Sequence, residues 1–276
     1  MGEPLEIPGF GRVERDFSRV DVRRLVQALL GVLPAASVLH DPEDLRPYEC
    51  DGMAALRQLP LVVVLPETEA QVVDILRICT AQEVPVVARG AGTGLSGGAQ
   101  PHRFGVVLSV ARLRRIIAID AHARRAVVQP GVRNLAISEA AAPHGLYYAP
   151  DPSSQIACTI GGNVAENSGG VHCLKYGLTI HNLLKVRGVT INGDIVEFGS
   201  LGLDAPGYDL LPLVTGSEGM LAVVTEVTVK LTPKPQLAQC VLAAFDDVVK
   251  AGDAVARIIA AGIIPAGLEM MDQPAT

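Results

Sequence analysis

The stretch VPVVARGAGTGLSGGA, residues 84–99, places five glycines between Gly90 and Gly98 directly after a short β-prone run. Glycine lacks a Cβ, so such a loop reaches positive φ freely and lets a ligand lie against bare backbone N–H groups. A diphosphate, whose oxygens need many donors at short range, is the ligand chemistry that suits it. A plain surface turn explains the run poorly, because so many glycines raise the chain entropy that folding must overcome. Two short patterns inside it mislead. Gly92-x-Gly94-x-x-Gly97 has the spacing of a dinucleotide fingerprint, and Gly94-x-Ser96-x-Gly98 that of a hydrolase nucleophile elbow. Both need a helix directly after the loop. Pro101, Phe104 and Gly105 follow instead, then another β-prone run, and the absence of GK[ST] excludes a Walker-type loop.

Upstream, Leu61–Leu65 is an apolar run of strand length, and Thr68-x-x-Gln71 predicts a capping box. The helix it opens sets Val72, Leu76 and Cys79 at i, i+4 and i+7. With Val84–Ala88 as the next strand, strand–helix–strand is complete at the glycine loop, and a parallel pair is expected. Earlier still, residues 18–31 read as a helix, with Ser18 and Asp21 resembling a capping box. Downstream come three β-prone runs, Gly105–Val110, Arg115–Ile119 and Ala126–Gln129. A helix from Asn134, as N-cap, to His144 should stop at Gly145. Asn192-Gly193-Asp194 signals a hairpin between Leu183–Ile191 and Ile195–Phe198. In Leu221–Leu231 the residues Val223, Thr225, Val227, Val229 and Leu231 alternate onto one face.

A second glycine-rich tract, PDPSSQIACTIGGNVAENSGGVHCLKYG, runs from Pro150 to Gly177. Two such tracts point to one large polyvalent ligand, a cofactor rather than a small substrate. Its asparagines offer both donors and acceptors and could read a heteroaromatic ring edge such as a flavin's. Glu166 could be catalytic, although an exposed or capping carboxylate is the plainer reading. His172, Cys173 and His181 lie close in sequence, but without a fourth ligand at suitable spacing packing or hydrogen bonding explains them better than a metal. No nucleophile–base arrangement stands out, so no catalytic residue is assigned.

The 276 residues can hold one large domain or two modest ones. Hydrophobic residues make up 49% and charged residues 19%, and the net charge of −6 with no Lys/Arg cluster argues against nucleic acid. The opening, MGEPLEIPGFGRVERDF, lacks a leader pattern, and no apolar stretch reaches the roughly 18 residues of a membrane span. Five cysteines without a CxxC pair are expected to be buried free thiols, which implies the cytoplasm. Thr232-Pro-Lys-Pro235 reads as a boundary; beyond it a strand, Cys240–Phe245, and a helix with Val248, Ala251, Val255 and Ile258 in phase make a unit that looks cut short.

RGAGTGLSGGA, the run from Gln129 to Thr179 and TGSEGMLAVVTEVTVKLTPKP resemble the flavin domain of FAD-linked 2-hydroxy-acid dehydrogenases, the glycolate oxidase type among them. Tyr48-Glu-Cys-Asp-Gly52 and Gly267-Leu-Glu-Met-Met-Asp272 share the likeness, which covers nearly the whole chain from Asp21. The resemblance implies an α+β fold of the vanillyl-alcohol-oxidase/PCMH type. Residues 1–55 would form an N-terminal helical segment and 56–235 a two-subdomain FAD-binding domain. Residues 236–276 would be the truncated start of an α+β substrate domain.

It further implies that Arg89, Gly90, Ala91, Gly92 and Thr93, with Ser96 and Gly97, line the pyrophosphate. Pro152, Ser153, Thr159, Gly161, Gly162, Asn163, Asn167 and Gly170 would approach the pyrophosphate, ribityl chain and ring. Glu218, Gly219 and the run to Val224 would hold the adenosine side. Thr93 stands where some relatives carry a flavin-linked histidine, so FAD would be non-covalent and Gly92→Val should release it without harming the fold. The implied reaction is oxidation of a 2-hydroxy acid by hydride transfer to flavin N5. Glycolate leads D-lactate and D-2-hydroxyglutarate as the expected substrate. A second flavin subunit and an iron–sulfur subunit would take the electrons onward, leaving the protein cytoplasmic or peripheral to the inner membrane.

Overall fold

A computed structural model describes residues 16–202 and 207–272 of the chain. Residues 1–15, which carry most of the leader reading, lie outside them. β1 (Val38–Leu39), β2 (Val62–Val64), β3 (Val86–Arg89) and β4 (Val106–Ser109) form one sheet in the order β1–β2–β4–β3, parallel except for β1. On it pack α1 (Val22–Leu30) and α3 (Glu69–Ala81), through Leu25, Leu29, Ile75 and Leu76, while the short α2 (Pro42–Leu45) sets Leu45 against Val63 and Val107 in a separate cluster. The capping box of α3 forms as expected from Thr68 and Gln71. For α1 it does not: Asp21 is itself the N-cap, accepting from Arg24 N–H at 3.1 Å, while Ser18 sits in a separate turn. The two strands that flank α3 are parallel but not neighbours, because β4 lies between them. All four β4 residues are buried, whereas three of four in β3 are half-exposed, so the strand with two apolar faces takes the centre.

The second sheet is antiparallel. β5 (Ile116–Asp120), β6 (Arg125–Val128), β8 (Leu183–Val189), β9 (Ile195–Gly199) and β10 (Val223–Lys230) run in the order β5–β6–β10–β8–β9. The Asn-Gly hairpin joins β8 to β9, with Gly193 at φ 80°. α4 (Asn134–Ala141), α5 (Ile160–Glu166), α6 (Cys173–Tyr176) and α7 (Leu211–Val214) accompany this sheet, and β7 (Leu146–Tyr147) pairs with β11 (Thr232–Pro233). The expected alternation of β10 fails because it is a central strand buried on both faces and broken by register shifts at Thr225 and Thr228. Beyond β11, α8 (Val248–Ala260) forms, but Cys240–Phe245 is not a strand: Val241 and Leu242 are 90% exposed, and a lone run has no ladder to join. Cys240 is likewise exposed, against the expectation of buried thiols; Cys79 and Cys158 are buried.

One ionic cluster ties the two sheets. Arg187 of β8 donates from Nε and Nη2 to the two carboxylate oxygens of Glu69, each at 2.9 Å, and Thr225 of β10 donates to Glu69 at 2.7 Å. The Arg187 bonds, foremost, hold the Glu69 carboxyl below its ordinary value of 4.5. A depressed carboxyl stabilises the fold above the unfolded-state value, and that contribution is lost as the pH falls through the folded-state value. Glu69→Gln should therefore lower Tm at neutral pH by about 2–8 °C and flatten the loss of stability below about pH 4.5, read by thermal melts across pH.

Candidate functional site

The glycine loop leaves β3 at Arg89 and returns directly to β4, with no helix between. That arrangement removes both the dinucleotide-fingerprint and the nucleophile-elbow readings. Among the described residues, no acceptor is paired with the backbone N–H groups of residues 91–99; the next donor is Gln100 N–H, to Gly97 O at 3.0 Å. The loop is fixed from behind. Gly52 N–H donates to Gly94 O at 2.8 Å, and Arg89 Nη1 donates to Cys50 O at 2.8 Å with its guanidinium over the Tyr48 ring.

The second tract comes to meet it. A Cβ on Gly90 would lie 2.4 Å from Thr159 Oγ1 and 3.4 Å from both Gly162 Cα and Gly162 N. Gly90, Ala91, Gly92 and Thr93 line one wall of the resulting cleft, Thr159, Gly162 and Asn163 the other, and Glu218 closes one end. Thr159 Oγ1 is buried without a partner, an orphaned donor aimed between the walls. Unpaired amides on one side, an orphan hydroxyl opposite and a cradle that a side chain would fill suit a diphosphate-bearing cofactor.

Other residues expected at the ligand serve the scaffold instead. Arg89 lies beneath the loop, and a Cβ on Gly92 (φ 70°) would strike its guanidinium at 2.2 Å, so Gly92→Val would disturb the loop itself rather than spare the fold. Ser96 is exposed, and Gly97 (φ 79°) makes the Gln100 turn; neither lines the cleft. Gly161 packs on Pro130, and Gly170 lies against the Asp151 backbone. Asn167, left-handed at φ 51°, stops α5 and accepts from Ile180 N–H at 3.0 Å. Pro152 and Ser153 stand outside the lining while Ser154 enters it; Gly219 packs near Ala88, and Val224 belongs to the core of the second sheet. His172 pairs with Asp151 at 2.5 Å, and His181 Nδ1 accepts from Leu178 N–H at 3.0 Å.

Asn134 is not the cap of α4. It is buried, donating to Pro150 O at 2.9 Å and accepting from Asn163 Nδ2 at 2.9 Å, which aligns the Asn163 amide at the cleft. Asn163→Ala orphans the Asn134 oxygen and should cost about 1–3 kcal/mol, measured by urea denaturation. Asp51 and Gly98 also line the cleft and carried no assignment in sequence; the glycine run and the motif around Asp51 were the available signals.

A family model described as FAD binding domain matches residues 60–199. The chain belongs to that family. A second FAD-family model, FAD linked oxidases, C-terminal domain, matches residues 234–276. The chain is 61% identical over 261 residues to glycolate oxidase subunit GlcD of Escherichia coli (strain K12), covering 95% of this chain and 52% of that protein. It is 44% identical to GlcD of Bacillus subtilis (strain 168), covering 82% and 48%, and 37% identical to a D-lactate dehydrogenase of Archaeoglobus fulgidus, covering 78% and 48%. The chain thus spans about half the length of these curated relatives. Among solved structures, an alkyldihydroxyacetonephosphate synthase shares the FAD-family fold with a TM-score of 0.77 at 21% identity, covering 89% of this chain and 47% of that one. No helix among the described residues is long and apolar enough to cross a membrane.

Proposed function

We propose that the two tracts hold one FAD without a covalent bond. The protein to which this domain contributes would then oxidise a small 2-hydroxy acid to the 2-oxo acid. The observation that carries the reading is the set of unpaired N–H groups at 91–94, 98 and 99 in the lining of a cleft that also holds Gly162 and the orphan Thr159 hydroxyl. In this reading the loop amides and Thr159 bind the diphosphate oxygens, and Asn163, held by Asn134, orients the nucleotide. Thr93, which the resemblance aligns with the flavin-linked histidine of some relatives, lines the cleft, and this supports non-covalent binding. Bound FAD would supply the acceptor for the substrate's α-hydrogen, at flavin N5.

Glycolate is the favoured substrate and D-lactate the next, supported by the identity to the GlcD subunits and the lower identity to the D-lactate dehydrogenase. The word subunit in the GlcD relatives' description supports a multi-subunit assembly; in this reading electrons pass to a second flavin subunit and an iron–sulfur subunit, with the protein cytoplasmic or held peripherally at the inner membrane through them. Residues 56–235 are the FAD unit, and 236–276 begin the substrate domain. The test is anaerobic addition of glycolate, D-lactate or D-2-hydroxyglutarate to the FAD-loaded chain and to the chain assembled with its partners. Bleaching of the flavin band in the assembly, fastest with glycolate, supports the reading. A flavin that stays yellow with all three acids in both preparations supports a non-catalytic flavin module instead. Failure to retain FAD overturns the cofactor assignment.

A further inference from the structure

One end of the cleft is acidic. Glu166 at the end of α5, Glu218 in the turn before β10 and Asp51 before β2 all line the cleft, and its lining holds no lysine, arginine or histidine. A Cβ on Gly98 would lie 2.5 Å from Glu166 Oε1 and 3.4 Å from Glu218 Oε2, so both carboxylates press on the loop that carries the unpaired amides. Asp51 is only 6% exposed. Its Oδ1 accepts from Met53 N–H at 2.8 Å, while Oδ2 is buried without a partner in the cleft wall. Arg89 lies outside the lining, beneath the loop, where it donates Nη1 to Cys50 O and keeps its positive charge near Asp51. Arg89 offsets charge on the Asp51 side, but Glu166 and Glu218 border the loop with no cation among the described lining residues, and a proton on Glu166 relieves that conflict.

We propose that Glu166, crowded by Asp51 and Glu218, is the group through which pH governs how tightly the cleft holds a diphosphate-bearing nucleotide. The inference rests on the FAD reading above. Glu166 is exposed on its outer side; partial desolvation foremost, then the charges of Glu218 and Asp51, raise its carboxyl above its ordinary value of 4.5. Protonated, Glu166 removes one negative charge from beside the diphosphate and gains an O–H donor; ionised, it repels the ligand. The charged groups facing it, Asp51 and Glu218, are both acids, so acidification acts in one direction, toward tighter binding.

Flavin fluorescence titration of the apo-chain with FAD at about pH 5 and about pH 8 tests this. The wild type should bind about three- to tenfold more tightly at the lower pH. Glu166→Gln should bind tightly at both and lose the dependence, and Asp51→Asn should move its midpoint to lower pH. Circular dichroism at each pH confirms that the variants are folded. A pH dependence that survives in Glu166→Gln, or weaker binding by Glu166→Gln at both values, overturns the inference alone. Absence of FAD binding by the wild type at both pH values overturns the FAD assignment and this inference with it.

Discussion

Gly162→Val is expected to keep its fold and lose its flavin. A Cβ there meets only Thr159 Oγ1, at 3.5 Å, which is ordinary contact, and the residue lies in α5, where glycine is a poor helix former. The fold should therefore tolerate the change, with Tm within a few degrees of the parent. The branched side chain, however, stands in the cleft between Thr159 and the glycine loop, where the proposed diphosphate would approach the backbone. Affinity for FAD should fall at least about a hundredfold, the loss expected when several charge-assisted hydrogen bonds are forfeited together. Isothermal titration against FAD, paired with thermal melts of the apo-chain, reads both quantities. Unchanged affinity would remove the ligand from this wall of the cleft.

The neighbouring change, Gly161→Ala, should do the opposite. Gly161 is buried; an added Cβ would lie 2.5 Å from Pro130 Cβ and 3.1 Å from Pro130 O, the carbonyl that accepts the Gly161 N–H at 2.8 Å. Pro130 cannot withdraw. Its ring is rigid, and the next residue, Gly131, is pinned, since a Cβ on it would lie 2.3 Å from Val110 O. Overpacking of this kind costs about 3 kcal/mol, a Tm lower by about 6–12 °C in a domain of this size. Melts without FAD should show the loss in full, which separates a structural glycine from a ligand-facing one. A Gly161→Ala chain as stable as the parent would show that α5 is seated loosely on the β6–α4 joint.

These two adjacent glycines show where reading the chain stops. From residues alone, both belong to a glycine-rich tract that calls for close backbone approach, and the resemblance places both at the cofactor. The absent side chain at 161 makes room for Pro130, and the one at 162 leaves the cleft wall open. Arg89 divides in the same way: adjacent to the loop in sequence, it turns underneath to Cys50 and Tyr48. Asn134, with the residue type and position of an N-cap, is instead buried as the support of Asn163.

Local devices were legible in the residues alone: the Thr68–Gln71 capping box, the Asn-Gly hairpin and the β-prone runs on either side of the glycine loop. Each depends on residues a few positions apart, so backbone sterics and short-range hydrogen bonds suffice to specify it. Tertiary structure alone decided that β4 inserts between β2 and β3, that Gly90 meets Gly162, and that Asp51, Glu166 and Glu218 share one end of a cleft. Those juxtapositions join segments far apart in the chain. They are chosen by which apolar faces bury most completely against one another, a property of the packed molecule that no periodicity in a single stretch encodes.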